Sequence, residues 1–181
     1  MKQNTNISVI LPVHELNAET EQLLSNAIQS VMDQTVLPDE LIIVVPKGSD
    51  VAAKVSKLST ETAVKIVVAE NEGATDFASQ VNYGVSVCKS DWFSILEYDD
   101  EYAKIWFKNV VEYRDAHSNV ELFLPIVIDV DSENSFIGFT NEAVWANSFS
   151  DELGVLDNNR IKELEFNKSK LEELKTQTTN A

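Results

Sequence analysis

The stretch LIIVV at residues 41–45 decides the fold class, because it would be apolar on both faces of a strand. A strand with one solvated face alternates apolar and polar residues, whereas an unbroken apolar run indicates a central strand of a parallel sheet covered on both sides. Working outward, three further short apolar runs predict strands: ISVILPV at 7–13, VKIVV at 64–68 and WFSIL at 92–96. The sequence therefore predicts a sheet of several short strands.

Segments with helical spacing separate these strands. The first begins at about Ala18, with Asn17 as a plausible cap. Others fill the gaps and span about 75–88 and 102–117. The first helix is expected to face the sheet with Leu23, Leu24, Ala27, Ile28, Val31 and Met32. The helix at 75–88 is expected to use Phe77, Ala78, Val81, Val85 and Cys88.

This alternation of strands and helices predicts an α/β, Rossmann-like fold. Its sheet would be mostly parallel, with right-handed crossovers and helices on both faces. In such a sheet, ligands bind at the carboxyl ends of the strands. The fourth predicted strand ends on EYDD at 97–100.

Acidic residues at that strand end suggest a metal site. If the strand continued, Glu97 and Asp99 would project from the same face. Hard cations such as Mg²⁺ or Mn²⁺ bind a couple of carboxylates and complete their shell with water and substrate phosphates, so a phosphorylated ligand is expected. The alternative is a solvated acidic turn that caps a helix starting at Tyr102, and these residues alone leave both possibilities open.

The composition limits the possible partners. The chain has 181 residues and 44% hydrophobic content, enough for one compact domain. Thirty acidic against 14 basic residues give a net charge of -16, which argues against nucleic acid or an anionic membrane as the main partner. No apolar run reaches the roughly 18–20 residues of a membrane span. One cysteine, Cys88, fits a reducing compartment, so a cytoplasmic protein is expected.

Beyond residue 117 the pattern predicts shorter elements. A strand is expected at 120–127, a polar loop at 129–134 and a short strand at 135–139. A helix near 142–150 follows. These elements would complete the domain.

The C-terminal segment at 159–175 has helical apolar spacing and balanced charges elsewhere. It predicts an amphipathic helix that either lies on the surface or binds a partner, whether a second copy of the chain or another protein. The expected organisation is a domain over 1–157 and a charged tail over 158–181.

Several segments, in order along the chain, resemble the family 2 glycosyltransferases with the GT-A fold. They are ISVILPV at 7–13, AIQSVMDQT at 27–35, PDELIIV at 38–44, NEG at 71–73 with NYG at 82–84, LEYDD at 96–100, and WANSFSDELGVLD at 145–157. The last of these is similar to the segment that precedes the acceptor half of the family. A fainter likeness is to short glycosyltransferase-like proteins of tailed bacteriophages, which implies the cytoplasm of a bacterium or of a phage-infected host cell.

The resemblance implies transfer of a sugar from a nucleoside diphosphate donor to the hydroxyl of an unidentified acceptor, with inversion at the sugar carbon. A divalent cation, Mn²⁺ or Mg²⁺, would bridge the diphosphate and stabilise the leaving group. Glu97 and Asp99 would lie nearest the metal, with Asp100 assisting. The nucleotide-sugar contacts that the resemblance implies are Pro12, Val13, His14, Glu15, Lys47, Asn71, Gly73, Gln80, Asn82, Glu97 and Tyr98.

Departures from the family pattern leave a second interpretation open. The run VPK at 45–47 stands where the family has an Asp that recognises the base, and Val81 stands where it commonly has Arg. No motif supplies the carboxylate that would deprotonate the acceptor, so Asp129, Asp131 and Glu142 are candidates by position alone. The alternative is a GT-A-like domain without catalysis that serves as a binding or structural module, for example in a phage particle.

Overall fold

The computed structural model describes residues 5–58, 63–123, 125, 127–131, 135–139, 156–157 and 160–161. The chain divides into two compact units, Met1–Tyr113 and Arg114–Ala181. The predicted boundary at residue 157 stays a prediction.

Strands and helices alternate through the first unit, as the sequence predicts. The elements are β1 (Ile7–Pro12), α1 (Ala18–Met32), β2 (Glu40–Pro46), α2 (Val51–Leu58), β3 (Lys65–Asn71), α3 (Phe77–Val87), β4 (Trp92–Ile95) and α4 (Trp106–Ala116), the last of which continues past the division between the units. The four strands form one parallel sheet in the order β3-β2-β1-β4. The expected α/β fold with a parallel sheet is confirmed.

The two central strands carry the core. Every residue of β1 is buried, and so is every residue of β2 from Glu40 to Val45. Because successive side chains of a strand point to opposite faces, burial of consecutive residues means that both faces of the sheet are covered. Burying a Val, Leu or Ile side chain contributes about 1.5–3 kcal/mol, so these strands contribute strongly to stability. The inner position predicted for LIIVV is confirmed.

Helix α3 lies unusually close to the sheet at Gly84. A Cβ atom at this position would be 2.5 Å from Ile10 Cγ2 and 3.0 Å from Val44 Cγ2. The buried residues of α3 are Gln80, Val81 and Gly84. The predicted inner stripe is therefore wrong at its start, where Phe77 is 48% exposed.

For helix α1 the prediction from the sequence is closer to the structure. Its predicted cap is confirmed, because the Thr20 N–H donates to Asn17 Oδ1 at 3.1 Å. Leu24, Ala27 and Val31 are fully buried. The prediction is wrong for Leu23, which was placed on the buried face and is 41% exposed.

The second unit contains two short antiparallel pairs. These are β5 (Ile128–Val130) with β6 (Phe136–Phe139), and β7 (Leu156–Asp157) with β8 (Arg160–Ile161). The strand predicted at 135–139 is confirmed by β6. The strand predicted at 120–127 is wrong for its described residues, and the strand begins instead at Ile128. Pro125 accounts for part of this difference, because proline cannot donate to a strand ladder.

Two predicted helices fall mainly on residues outside those described. The helix at 142–150 lies wholly outside them. Of the helix at 159–175, Arg160 and Ile161 are described, and they belong to β8 rather than to a helix. Among the helices that are described, none is both long and apolar enough to cross a membrane.

Candidate functional site

Because the four strands are parallel, the loops that follow them lie along one edge of the sheet. This edge carries most of the residues predicted for the site: 12–15 after β1, Lys47 after β2, Asn71 and Gly73 after β3, and 97–100 after β4. Neighbouring strands lie about 4.8 Å apart, which places the acidic residues beside the β1 loop and about 14 Å from Asn71. The edge therefore has an acidic half and an amide half.

The acidic residues form a turn and do not extend β4, which ends before the turn begins. The Asp100 N–H donates to the Glu97 carbonyl at 3.2 Å. The expectation that Glu97 and Asp99 project from one strand face is therefore wrong, since that alternation holds only within a strand. A cap on a helix from Tyr102 is wrong as well, because α4 begins at Trp106. All three predicted metal ligands are exposed.

Two aromatic rings join this turn to the loop after β1. The ring centroids of His14 and Tyr98 are 6.3 Å apart, with an interplanar angle of 59°. The His14 side chain is 53% exposed, and its Nε2 lies 3.8 Å from Glu15 Oε1. Val13 is fully buried and donates its N–H to the Val44 carbonyl at 2.8 Å. This loop thus offers the side chains of His14 and Glu15, rather than that of Val13, to a ligand.

The loops after β2 and β3 are tied to each other. Lys47 Nζ forms an ion pair with the Glu72 carboxylate, and the Lys47 N–H donates to the Asn71 carbonyl at 2.9 Å. The buried Asn71 side chain accepts the Gly73 N–H at 2.9 Å and donates to the Ala74 carbonyl at 2.9 Å. Asn71 therefore shapes its own loop, while ligand contacts by Lys47, Asn71 and Gly73 stay predictions.

Helix α3 begins near the same edge with a buried amide. Gln80 is 1% exposed, and its Nε2 donates to the Thr75 carbonyl at 2.8 Å. Its Oε1 has no hydrogen-bond partner within the described residues. A buried unsatisfied acceptor costs about 1–3 kcal/mol. Asn82, on the exposed side of α3, is accessible to a ligand, and ligand contacts by both residues stay predictions.

The three candidates for a catalytic base lie in the second unit. Asp129 is exposed in β5. Asp131 closes the β5–β6 hairpin, because its Oδ1 accepts the Ser135 N–H at 2.9 Å and its own N–H donates to the Ser135 carbonyl at 3.0 Å. Glu142 lies outside the described residues. Asp131 thus has a structural role, and the assignment of a base stays open to experiment.

The acidic turn fits a cation that arrives together with a ligand. Within the described ranges, no group of three or more His, Cys, Asp or Glu side chains is arranged to hold a metal ion by itself. Mg²⁺ and Mn²⁺ do not require such a cage, since they bind one or two carboxylates together with water and phosphate oxygens. The exposed carboxylates of Glu97, Asp99 and Asp100 match that donor set.

Sequence reasoning missed the residues that hold the turn in place. Tyr102, Ser30 and Gln34 link the end of the turn to α1 through hydrogen bonds. The sequence at 27–35 indicated that these side chains have polar partners, because Ser30 and Gln34, one helical turn apart, interrupt its apolar stripe. Asp76 was also missed, and it caps α3 by accepting the Ser79 N–H at 3.0 Å. The Ser79 hydroxyl and N–H hold the pKa of the Asp76 carboxyl below its usual value.

Together these features define an α/β domain whose candidate ligand site lies at the carboxyl ends of parallel strands. The family model described as Glycosyl transferase family 2 matches residues 8–167. The chain belongs to this family, and its sheet is the GT-A-like one that the resemblance implied.

An uncharacterized glycosyltransferase of Rickettsia typhi (strain ATCC VR-144 / Wilmington) is 33% identical over 117 residues, which cover 63% of this chain and 33% of the relative. This chain thus spans about a third of the length of that relative. Among solved structures, S. aureus TarS in complex with UDP-GlcNAc is 19% identical over 62% of this chain and 32% of that chain, with a TM-score of 0.46. The 4-diphosphocytidyl-2C-methyl-D-erythritol synthase of Anaerococcus prevotii DSM 20548 is 13% identical over 94% and 82%, with a TM-score of 0.42.

Proposed function

We propose that this chain binds a nucleoside diphosphate sugar at the carboxyl edge of its sheet, together with Mn²⁺ or Mg²⁺, and transfers the sugar to an acceptor hydroxyl with inversion. The observation that carries the proposal is the position of the acidic turn, directly after β4 and beside the loop that follows β1. Membership of family 2 gives the class of reaction.

The charges of this edge favour a metal-dependent site. Glu15, Glu97, Asp99 and Asp100 are all exposed there, while Lys47 is engaged by Glu72. A diphosphate that approached this edge alone would meet like charge, and like charges in this arrangement repel. A divalent cation bound with the diphosphate reverses that repulsion and, as a Lewis acid, stabilises the charge of the leaving group.

The protein groups would divide the remaining tasks. Glu97 and Asp99 would hold the cation, with Asp100 assisting. The exposed His14 ring and the half-buried Tyr98 ring of the turn lie 6.3 Å apart, and the base of the nucleotide would stack there, since aromatic rings suit base stacking. Asn71 keeps its loop in one conformation at the other half of the edge.

Calorimetric titration with a panel of nucleoside diphosphates, with and without Mn²⁺, tests the proposal. We expect metal-dependent binding that is lost in Glu97→Ala and in Asp99→Ala. Glu112→Ala is the matched control, because Glu112 is an exposed acid on α4 that pairs with Lys108. If no nucleotide of the panel binds, the proposal is wrong.

A second function, binding without turnover, is favoured by one observation. Val81, which stands where the family commonly carries an Arg, is buried, and so is its neighbour Gln80, so neither side chain is accessible to the donor. In this case the chain would be a binding or structural module. Release of free nucleoside diphosphate from a donor sugar, measured on the isolated chain, separates the two functions: binding without release favours the module.

A further inference from the structure

The acidic turn is closed at its base by a single tyrosine. The Tyr102 hydroxyl donates to the carbonyl of Ile95, the last residue of β4, at 3.0 Å, and it lies 2.7 Å from Ser94 Oγ. The segment 95–102 is therefore tied end to end by one side chain. All the acidic residues of the turn lie inside this loop.

Hydrogen bonds from α1 and from the residue Gln34 that follows it hold Tyr102 and the residues after it. Ser30 Oγ accepts the Tyr102 N–H at 3.1 Å and donates to the carbonyl of Ala27 at 2.7 Å. Gln34 Nε2 donates to the Ala103 carbonyl at 2.9 Å, and its Oε1 accepts the Phe107 N–H at 3.2 Å. The buried side chains of Ser30 on α1 and of Gln34 just after it thus anchor the segment that follows the turn.

The tyrosine ring is itself held in place by aromatic contacts. It packs edge-on against Phe107, with ring centroids 5.1 Å apart, and stacks on Trp106 at 6.4 Å. Phe107 is fully buried, which makes this anchor part of the core.

A turn that carries several carboxylates needs such an anchor. Glu97, Asp99, Asp100 and Glu101 repel one another, and this repulsion favours an opened loop before any cation binds. A restraint that keeps the turn closed lowers the entropy lost on binding, which is the general advantage of a preorganised site.

We propose that Tyr102 is a positioning residue, which holds the acidic turn closed through Ile95 and Ser94 and thereby sets the affinity of the turn for a metal–nucleotide complex. This inference rests on the proposed function, because the ligand is the one proposed there. Losing the hydroxyl removes the direct tie between the two ends of the turn while leaving the ring contacts intact.

The experiment uses the full chain and Tyr102→Phe, with Mn²⁺ and UDP as probes. Hydrogen exchange of peptides that span 95–103 is measured without metal, and UDP affinity is measured with and without Mn²⁺. We expect faster exchange of this segment and an affinity about fivefold to tenfold weaker with Mn²⁺, the size of one or two lost hydrogen bonds. UDP affinity without Mn²⁺ should not change, whereas a general loss of structure would lower both affinities.

Two further variants sharpen the result. Ser94→Ala removes the other partner of the hydroxyl and should reproduce part of the effect. Tyr83→Phe, a half-buried tyrosine on α3, is the matched control and should leave both measurements unchanged.

The outcomes separate this inference from the proposed function. Wild-type exchange rates and wild-type Mn²⁺-dependent affinity in Tyr102→Phe would overturn the positioning role while leaving the function standing. If the wild-type chain binds no UDP even with Mn²⁺, the UDP–Mn²⁺ part of the inference fails. Unchanged exchange in the variant would then overturn the structural part as well, whereas faster exchange would support it.

Discussion

Replacing Gly84 by alanine should destabilise the protein, although alanine is the better helix former. The new Cβ would lie 2.5 Å from Ile10 Cγ2 and 3.0 Å from Val44 Cγ2. Since carbon atoms in contact are separated by about 3.5–4.0 Å, the Ile10 contact is about 1 Å too short. Ile10 and Val44 are fully buried on the two central strands, so neither can move into solvent.

The expected magnitude follows from two opposing effects. Overpacking a dense core costs about 1–3 kcal/mol, and a clash with two strands belongs at the upper end of that range. The higher helix propensity of alanine stabilises the folded state by about 1 kcal/mol relative to glycine. The net expectation is a loss of about 2 kcal/mol, which corresponds to a fall in Tm of roughly 4–8 °C for a chain of this size.

Urea unfolding followed by circular dichroism measures this loss. Ser86→Ala is the matched control on the same helix, because Ser86 is exposed and its hydroxyl bonds only within α3, to the Tyr83 carbonyl. The control should change stability by less than about 0.5 kcal/mol. If Gly84→Ala proves as stable as the wild type or more stable, α3 does not lie as close to the sheet as described.

Three further predictions concern the loops that frame the site. Asn71→Ala should lower stability by about 1–3 kcal/mol in urea unfolding, because the loop loses a buried acceptor and a buried donor. Gln80→Glu should be destabilised more at pH 7 than at pH 4, since burial raises the pKa of an introduced carboxyl in the folded state and the stability so gained is lost as pH rises. For Asp76 the sign is opposite: the bonds from Ser79 lower its pKa in the folded state, so the stability it contributes is present above the ordinary pKa of an aspartate and is lost as pH falls. Asp76→Asn should therefore flatten the acid limb of a plot of Tm against pH, and an unchanged limb would contradict this cause.

The strands of the first unit could be predicted because each is a short apolar run, and both faces are buried in β1 and in β2 as far as Val45. The stretch at 41–45 indicated a central parallel strand, and the structure places it there. Helix faces were harder to predict. On α3, Gln80 and Gly84 are buried although a hydrophobic pattern would place them facing outward, while Phe77 is exposed. The close approach at a glycine and the partner of a buried amide depend on tertiary contacts that no local pattern contains.

The acidic turn of the site likewise depends on tertiary contacts that the local sequence does not contain. Its position at a strand end could be predicted, since that needs only the order of elements along the chain. Its conformation could not, because β4 ends at Ile95 and the following turn is shaped by hydrogen bonds from Tyr102 to residues of β4 and α1. These partners lie up to 72 residues away in sequence. In the second unit, β5 includes the first two residues of the loop predicted at 129–134, and Asp131 closes the hairpin through local bonds to Ser135.

The central claim is that a divalent cation and a nucleoside diphosphate meet at the acidic turn. Paramagnetic broadening of amide NMR signals by Mn²⁺ in the presence of UDP tests this claim most directly, because the effect locates the ion. The account predicts broadening that is strongest at residues 96–101 and at the neighbouring loop 13–15 and weakens with distance from them, and its loss in Asp99→Ala. Broadening centred on a remote acid such as Glu112, or no UDP-dependent broadening at all, would contradict it.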